Sequence, residues 1–197
     1  MAEITAELVN NLRKQTNAGM MDCKKALKEA EGDLEKAATI LRKKGIAKAD
    51  GKADRQAKEG VISSYIHMAG RVGVLIEVNC ETDFVAKNEN FQGLVRDLTL
   101  HIAAANPAYL QREDVPADLV AKEREIASEQ VKGKPENVIE KIVEGKLNKF
   151  YADTCLLEQA FIKDDKLTVR DLIKTKIAEL GENIVVRRFT RYAVGGE

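Results

Sequence analysis

The sequence predicts an α+β protein, in which a three-helix N-terminal domain precedes a core with a three-stranded antiparallel sheet covered by helices. Three observations support this class. Apolar residues recur at helical spacing three times within residues 1–45. The spacing changes to strict alternation at residues 72–79, which is typical of a strand with one buried face. Residues 184–192 are rich in Val, Phe and Tyr, which favour strands.

Glycine and small polar residues divide the N-terminal domain, residues 1–45, into three helices. The first helix should end at the cluster that finishes with Gly19, and the second should end at Gly32. Asp33 is placed to cap the third helix, which we expect to end before Gly45. The apolar stripes that face a common core are Ile4, Leu8 and Leu12; Cys23, Ala26, Leu27 and Ala30; and Leu34, Ala37, Ala38 and Leu41.

A basic segment follows the third helix. Between residues 42 and 58 the composition shifts to Lys, Ala, Asp and Arg, which predicts a basic linker at residues 46–58, either helical or frayed, and a core at residues 59–197. The whole chain carries 32 basic and 32 acidic residues, so its formal net charge is zero. We therefore expect no polyanion site and no direct binding to nucleic acid.

The sheet of the core is predicted from a hairpin pattern. Residues 61–68 and the alternating residues 72–79 are joined across a turn at Ala69–Gly70–Arg71. Because two strands alone are marginal in water, we expect residues 184–192 to supply a third strand.

Helices should fill the sequence between the hairpin and the last strand. Pro116 and Pro135 stand where a first helical turn tolerates proline. Thr168 can cap a last helix that ends at Gly181. The apolar stripes of these helices are Phe91, Leu94, Val95, Leu98 and Ile102; Val138, Ile139, Ile142, Val143, Leu147 and Phe150; and Val169, Leu172, Ile173 and Ile177.

Composition argues against several classes of function. Only 5% of the residues are aromatic and none is Trp, which leaves few platforms for base stacking. No segment approaches the ~18 apolar residues of a membrane span, so we expect a cytoplasmic protein with no membrane partner. Cys23, Cys80 and Cys155 form no C-x-x-C pair, which argues against a disulfide framework or a zinc site.

No motif for enzymatic chemistry is present, so we expect a protein that is not an enzyme and needs no cofactor. The sequence lacks a P-loop, G-x-G-x-x-G, H-E-x-x-H and G-x-S-x-G. His67 and His101 are the only imidazoles, neither has a flanking acidic partner, and the ordinary interpretation of both is a partly buried structural residue. Thiol chemistry at Cys23 or Cys155 is the remaining enzymatic alternative, and we do not favour it.

Two places depart from their surroundings. Residues 79–87 follow a strand and open a helix, where Thr82 can act as the cap and Asp83 lies in the first turn. Composition alone favours a position in the core for Phe84, because large aromatic side chains are mostly buried. Met20 and Met21 open a helix together, so at least one faces solvent or a partner, although a filler role stays open.

These places and further segments of the chain resemble the bacterial elongation factor Ts family of guanine-nucleotide exchange factors. The matching segments are Leu12–Thr16, Ala18–Leu27, Glu77–Ala86, His101–Ala104, Gly133–Pro135 and Ile142–Leu147. Two positions depart from the family pattern, since Asn17 stands where Gly is usual and Ala160 where Pro is usual.

The resemblance implies an N-terminal domain like a ubiquitin-associated domain, joined to the α+β core of a short family member. It further implies that the chain binds the GDP form of elongation factor Tu and promotes release of GDP. The segment that would disturb the magnesium site of elongation factor Tu consists of Thr82, Asp83, Phe84 and Val85. Phe84 would insert between helices of the G domain of that partner.

The resemblance also implies contacts outside this segment. Residues that match the family's contact surface are Arg13, Met20, Met21 and Lys24 in the N-terminal domain and His101 in the core. Short family members can self-associate, so we expect a homodimer, joined without a disulfide at the edge strand near residues 185–192. The alternative function is a binding module whose three helices dock a ubiquitin-like or ribosomal surface without any exchange activity.

Overall fold

The structure is a computed structural model and describes residues 4–16, 18–132 and 135–196. Asn17 and the Gly133–Lys134 pair, both noted in the sequence, lie outside the described residues. The chain divides into two compact units. The first unit comprises Met1–Gly60, Asn79–Phe91 and Ile173–Val185, and the second comprises Val61–Val78, Gln92–Leu172 and Val186–Glu197.

Helices and strands account for most of the described chain. The elements in chain order are α1 (Ala6–Thr16), α2 (Met20–Glu29), α3 (Leu34–Asp50), β1 (Glu59–His67), β2 (Val72–Cys80), α4 (Asp83–Ala86), α5 (Glu89–Ala105), α6 (Ala117–Glu129), α7 (Glu136–Thr154), β3 (Ala160–Phe161), β4 (Asp164–Thr168), α8 (Val169–Leu180) and β5 (Val185–Ala193). Both α-helices and antiparallel sheet are present, so the predicted α+β class is confirmed.

The N-terminal helices α1, α2 and α3 form where the apolar stripes predict them, in the first unit. The side chain of Asp33 accepts a hydrogen bond from the backbone N–H of Lys36 at 3.0 Å, which confirms the predicted cap. The buried side chains that form the common core of the three helices are Val9, Leu12, Cys23, Ala26, Leu27, Ala30, Ala37 and Leu41.

The third helix is longer than the sequence suggested. The prediction that it ends before Gly45 is wrong, because α3 continues to Asp50 and takes in the first part of the predicted linker. A Cβ atom at Gly45 would lie 3.2 Å from the Cβ of Ala178 on α8. The glycine therefore permits a close approach of two helices of the first unit instead of ending one of them. An ion pair of 2.6 Å between Asp50 and Lys174 joins the same two helices.

The three-stranded antiparallel sheet is confirmed, with strand order β1–β2–β5. The turn between β1 and β2 contains Met68, Ala69 and Gly70, which all have positive φ angles of 51°, 52° and 91°. The buried side chains of β2 are Val74, Ile76, Val78 and Cys80, in the alternation that the sequence predicts.

The second unit contains most of the remaining helices. On α5 the whole predicted stripe is buried, and Arg191 of β5 donates from Nε to the carbonyl of Ala103 at 3.2 Å. Pro116 and Pro135 are the residues just before α6 and α7, one position earlier than the first helical turn. Of the stripe predicted on α7, only Val143 and Leu147 are buried among the described residues, where they pack in a small separate cluster with Ala127 of α6 and with Val131.

The C-terminal part of the core contains one feature that the sequence did not predict. β3 and β4 form a second sheet of two strands, and β3 is only two residues long. The predicted cap of α8 is confirmed, since Thr168 Oγ1 accepts from the N–H of Asp171 at 3.1 Å. Gly181 follows the end of α8 with a φ angle of 81°, as expected of a helix-ending glycine. No helix in the described ranges is both long enough and apolar enough to cross a membrane.

Candidate functional site

The turn between β2 and α4 has the predicted local geometry. Thr82 is the N-cap of α4, with φ −128° and ψ 156°, and its Oγ1 accepts from the N–H of Val85 at 3.4 Å. Asp83 lies in the first turn, where a negative charge is favoured by the helix dipole. One turn later, Lys87 donates from Nζ to Oδ2 of Asp83 at 2.8 Å.

The ion pair between Asp83 and Lys87 affects the titration of both groups. The hydrogen bond from Lys87 lowers the pKa of the Asp83 carboxyl below its ordinary value. The same hydrogen bond raises the pKa of the Lys87 ammonium. Asp83 is therefore fully ionised at neutral pH and holds a negative charge at the start of α4.

Phe84 projects into solvent from this turn. Its side chain is 82% exposed, so the interpretation that it lies in the core is wrong. Phe91, seven positions later in the chain, is 0% exposed, as the apolar stripe of its helix predicts. Burying a phenylalanine side chain stabilises a fold by about 1.5–3 kcal/mol. Phe84 makes no such contribution, and its ring is available to a partner.

A carboxylate from a distant part of the chain holds the turn. Oε2 of Glu182 accepts from the backbone N–H groups of Glu81 and Thr82 at 3.1 and 3.0 Å. Oε1 of the same side chain accepts from the hydroxyl of Thr82 at 2.6 Å. Glu182 is not predictable from the sequence, because no motif or spacing connects a residue after α8 with a turn after β2.

Two further residues support this contact from the same unit. The carboxylate of Glu81 accepts from the backbone N–H of Asn183 at 2.6 Å and lies 3.6 Å from the guanidinium of Arg55. The side-chain amide of Asn183 donates to the carbonyls of Ala53 and Arg55 at 3.1 and 2.8 Å. Asn183 is buried, and a buried amide with satisfied donors fixes the chain that carries it.

Cys80 also contacts the turn, as a neutral thiol. Its Sγ donates to the carbonyl of Thr82 at 3.2 Å. Burial, helped by the negative charge of Glu182, raises the pKa of this thiol to about 11. Cys23 and Cys155 are also buried, which argues against the alternative of thiol chemistry at either residue.

The N-terminal site residues lie on α1 and α2. Arg13 and Lys24 are exposed, and Met20 and Met21 are 51% and 67% exposed. Both methionines therefore face solvent, whereas the sequence required this of only one of them. These four residues belong to the same compact unit as Thr82–Val85.

His101 belongs to the second unit and does not match its expected role. Its side chain is completely buried, and its Nδ1 accepts from the N–H of Ile162 at 3.3 Å. Nε2 then carries the proton and donates to Oε1 of Gln159 at 2.9 Å. Burial lowers the pKa of this imidazole. His101 is therefore a neutral residue of the core. The expectation that it is partly exposed and the expectation that it contacts a partner directly are both wrong.

In the part of the chain that the structure describes, no group of three or more His, Cys, Asp or Glu side chains could hold a metal ion. The charged groups of the turn are instead engaged with one another. What the turn offers to a partner is the exposed aromatic ring of Phe84 next to the ionised carboxylate of Asp83.

Comparison with known proteins identifies close relatives. A family model described as "Elongation factor TS" matches residues 2–196. The chain is 61% identical to "Elongation factor Ts" of Geobacter metallireducens over 98% of this chain and 90% of that protein. It is 58% identical to proteins of the same name from Geobacter sulfurreducens, over 98% of this chain and 90% of the relative, and from Thermodesulfovibrio yellowstonii, over 98% and 96%.

Proposed function

Because the chain belongs to the elongation factor Ts family, which has a role in translation elongation, we propose that it is the exchange factor that binds elongation factor Tu in its GDP form and accelerates release of GDP. The observation that carries the proposal is the exposure of Phe84, 82%, on a turn that is pinned by hydrogen bonds. Aromatic side chains, Phe among them, are enriched in the cores of protein–protein interfaces, where a few anchors supply most of the binding energy.

The proposed mechanism requires no chemistry from this chain. In a GDP complex, Mg²⁺ would offset the negative charge of the phosphate groups, so disturbing its coordination would weaken the hold on the nucleotide. Phe84 would insert between helices of the partner, and the carboxylate of Asp83 would enter the neighbourhood of the metal. Coupling of this kind is reciprocal, so returning nucleotide releases the factor, which then acts again.

The N-terminal helices supply the second part of the proposed interface. Met20 and Met21 offer exposed, flexible apolar side chains, which suit an adaptable contact. Arg13 of α1 and Lys24 of α2 are exposed and add positive charge to the surface of the N-terminal helices. We propose that this surface of a domain like a ubiquitin-associated domain determines the affinity for elongation factor Tu, while the turn at Phe84 determines the release of GDP.

We also propose that the chain works as a non-covalent homodimer in the cytoplasm. β5 lies at one edge of the sheet, and its Tyr192 is 73% exposed. An uncovered strand edge favours pairing with another strand. Ile62, Ile66 and Leu75 of the same sheet are exposed by 66%, 64% and 48%, which adds apolar surface that a second copy could cover.

Release of a fluorescent GDP analogue from elongation factor Tu tests the proposed function. Catalytic amounts of this chain should accelerate release into excess GDP, and the effect should saturate with the concentration of elongation factor Tu. Binding without acceleration would contradict the exchange activity and favour a binding module that docks a ubiquitin-like or ribosomal surface. Heat-unfolded chain serves as the control for non-specific effects.

A further inference from the structure

The turn that presents Phe84 depends on contacts from outside its own helix. α4 has four residues, whereas isolated helices shorter than about 12 residues are marginal in water. The contacts that fix its start come from Glu182, whose carboxylate accepts from the backbone of Glu81 and Thr82. Both N–H groups precede α4 and have no partner within the helix.

The hydroxyl of Thr82 serves two partners at once. A carboxylate can only accept, so the single hydroxyl proton is donated to Oε1 of Glu182 at 2.6 Å. The lone pairs of the hydroxyl oxygen are then free for the N–H of Val85 at 3.4 Å. Glu182 therefore sets the orientation in which Thr82 caps α4.

Glu182 is itself held on both sides. The carbonyl of Gly181 accepts from Nζ of Lys52 at 2.5 Å. On the other side, the N–H of Asn183 donates to the carboxylate of Glu81 at 2.6 Å. Residues 81–82 and 181–183 thus hold each other by reciprocal contacts within the first unit.

We propose that Glu182 is a positioning residue for Phe84, which presets the turn in its presenting conformation before any partner is bound. This inference rests on the proposed function, in which Phe84 is the anchor. A side chain that is already positioned loses less conformational freedom on binding, so preorganisation strengthens an interface without a new contact. Glu182 would thereby act on exchange through Phe84, with no contact of its own to the partner.

Two substitutions separate the parts of this role. Glu182→Ala removes all three acceptor contacts, and Glu182→Gln keeps one carbonyl oxygen for the two backbone N–H groups. Since hydrogen bonds to a charged acceptor are stronger than neutral ones, Glu182→Ala should lower stimulated GDP release about tenfold and Glu182→Gln about threefold. Glu179→Ala is the matched control, because it removes a carboxylate of α8 that pairs with Lys176. It should leave release unchanged.

A double-mutant cycle with Phe84→Ala tests whether the effect passes through the aromatic ring. If Glu182 only positions Phe84, then Glu182→Ala should cause no further loss of release in a chain that already carries Phe84→Ala. A further loss of about tenfold in that background would overturn the positioning role. Glu182→Gln provides the same comparison if Glu182→Ala does not fold.

Amide hydrogen exchange of the chain alone gives a readout that is independent of elongation factor Tu. The N–H groups of Thr82 and Val85 should exchange at least about tenfold faster in Glu182→Ala, while Leu27 in the N-terminal core keeps its protection. Unchanged protection at Thr82 and Val85 would overturn the inference. Faster amide exchange together with full exchange activity of Phe84→Ala would instead support the preset turn and overturn the proposed role of Phe84.

Discussion

Phe84 and Phe91 are seven positions apart in one stretch of chain, yet the first side chain is 82% exposed and the second is 0% exposed. The pair offers a matched comparison of a surface aromatic residue with a core aromatic residue. Phe84→Ala should leave the thermal unfolding midpoint unchanged and reduce stimulated GDP release roughly thirtyfold, as expected for a central aromatic anchor. Phe91→Ala should instead cost about 3–5 kcal/mol of stability.

Thermal unfolding and GDP release measured on the same preparations test this comparison. A fall of many degrees in the melting midpoint of Phe84→Ala would show that its ring is structural. A wild-type release rate would show that the turn has no part in exchange.

Gly45 and Gly145 both lie inside helices, and alanine should have opposite effects at the two positions. A Cβ at Gly145 of α7 meets nothing within 4 Å, so Gly145→Ala should stabilise the chain by about 0.5–1 kcal/mol. A Cβ at Gly45 would lie 3.2 Å from that of Ala178. In Gly45→Ala this close contact should outweigh the gain in helix stability, so the chain should be destabilised. The double variant Gly45→Ala with Ala178→Gly should recover most of the loss. Urea unfolding of all variants is the measurement, and equal stabilisation at both glycines would contradict the close approach of α3 and α8.

Cys80 should make stability depend on alkaline pH. Its pKa is raised from 9.0 to about 11, first by burial and then by Glu182, so the folded chain binds this proton more tightly than the unfolded chain does. The contribution of the neutral thiol to stability is therefore complete below pH 9 and is lost as the pH rises toward 11. Wild type should lose more unfolding free energy across this interval than Cys80→Ala does. Val78→Ala, at another buried position of β2, is the control and should follow the wild-type pH profile.

The proposed homodimer should respond to charge at the edge strand. Light scattering should give a dimer for the wild type, and Tyr192→Lys should shift it to a monomer because lysine on an exposed edge opposes strand pairing. Val138→Lys, at a position on α7 that is 37% exposed, is the control and should leave the mass unchanged. A wild-type monomer well above the working concentration would exclude dimerisation.

Local patterns in the sequence were sufficient for most of the helices, the sheet and the caps. Thr82, Thr168 and Gly181 could be assigned because capping depends on neighbours within a few residues. β3 was missed because two residues are too short to show alternation. Gly45 was wrongly predicted to end a helix, because its role depends on Ala178, which no local pattern connects with it.

The candidate site was only half predictable for the same reason. The cap and the charged first turn are local features, and the resemblance to a known family supplied the site residues. The exposure of Phe84 contradicts what composition favours, because composition reports an average over many phenylalanines. Glu182 could not be found, since its partner Thr82 lies 100 positions away in the sequence.

The first unit is assembled from three stretches of chain, and the last of them, Ile173–Val185, is synthesised long after the other two. Residues 81–82 are therefore synthesised some hundred residues before Glu182, whose carboxylate accepts their hydrogen bonds. Closing so long a loop costs entropy before any contact offsets it. A nascent chain can form its N-terminal helices early, but it acquires the contacts that hold the turn presenting Phe84 only after Glu182 has been synthesised, so a prematurely terminated chain that stops before α8 would lack these contacts.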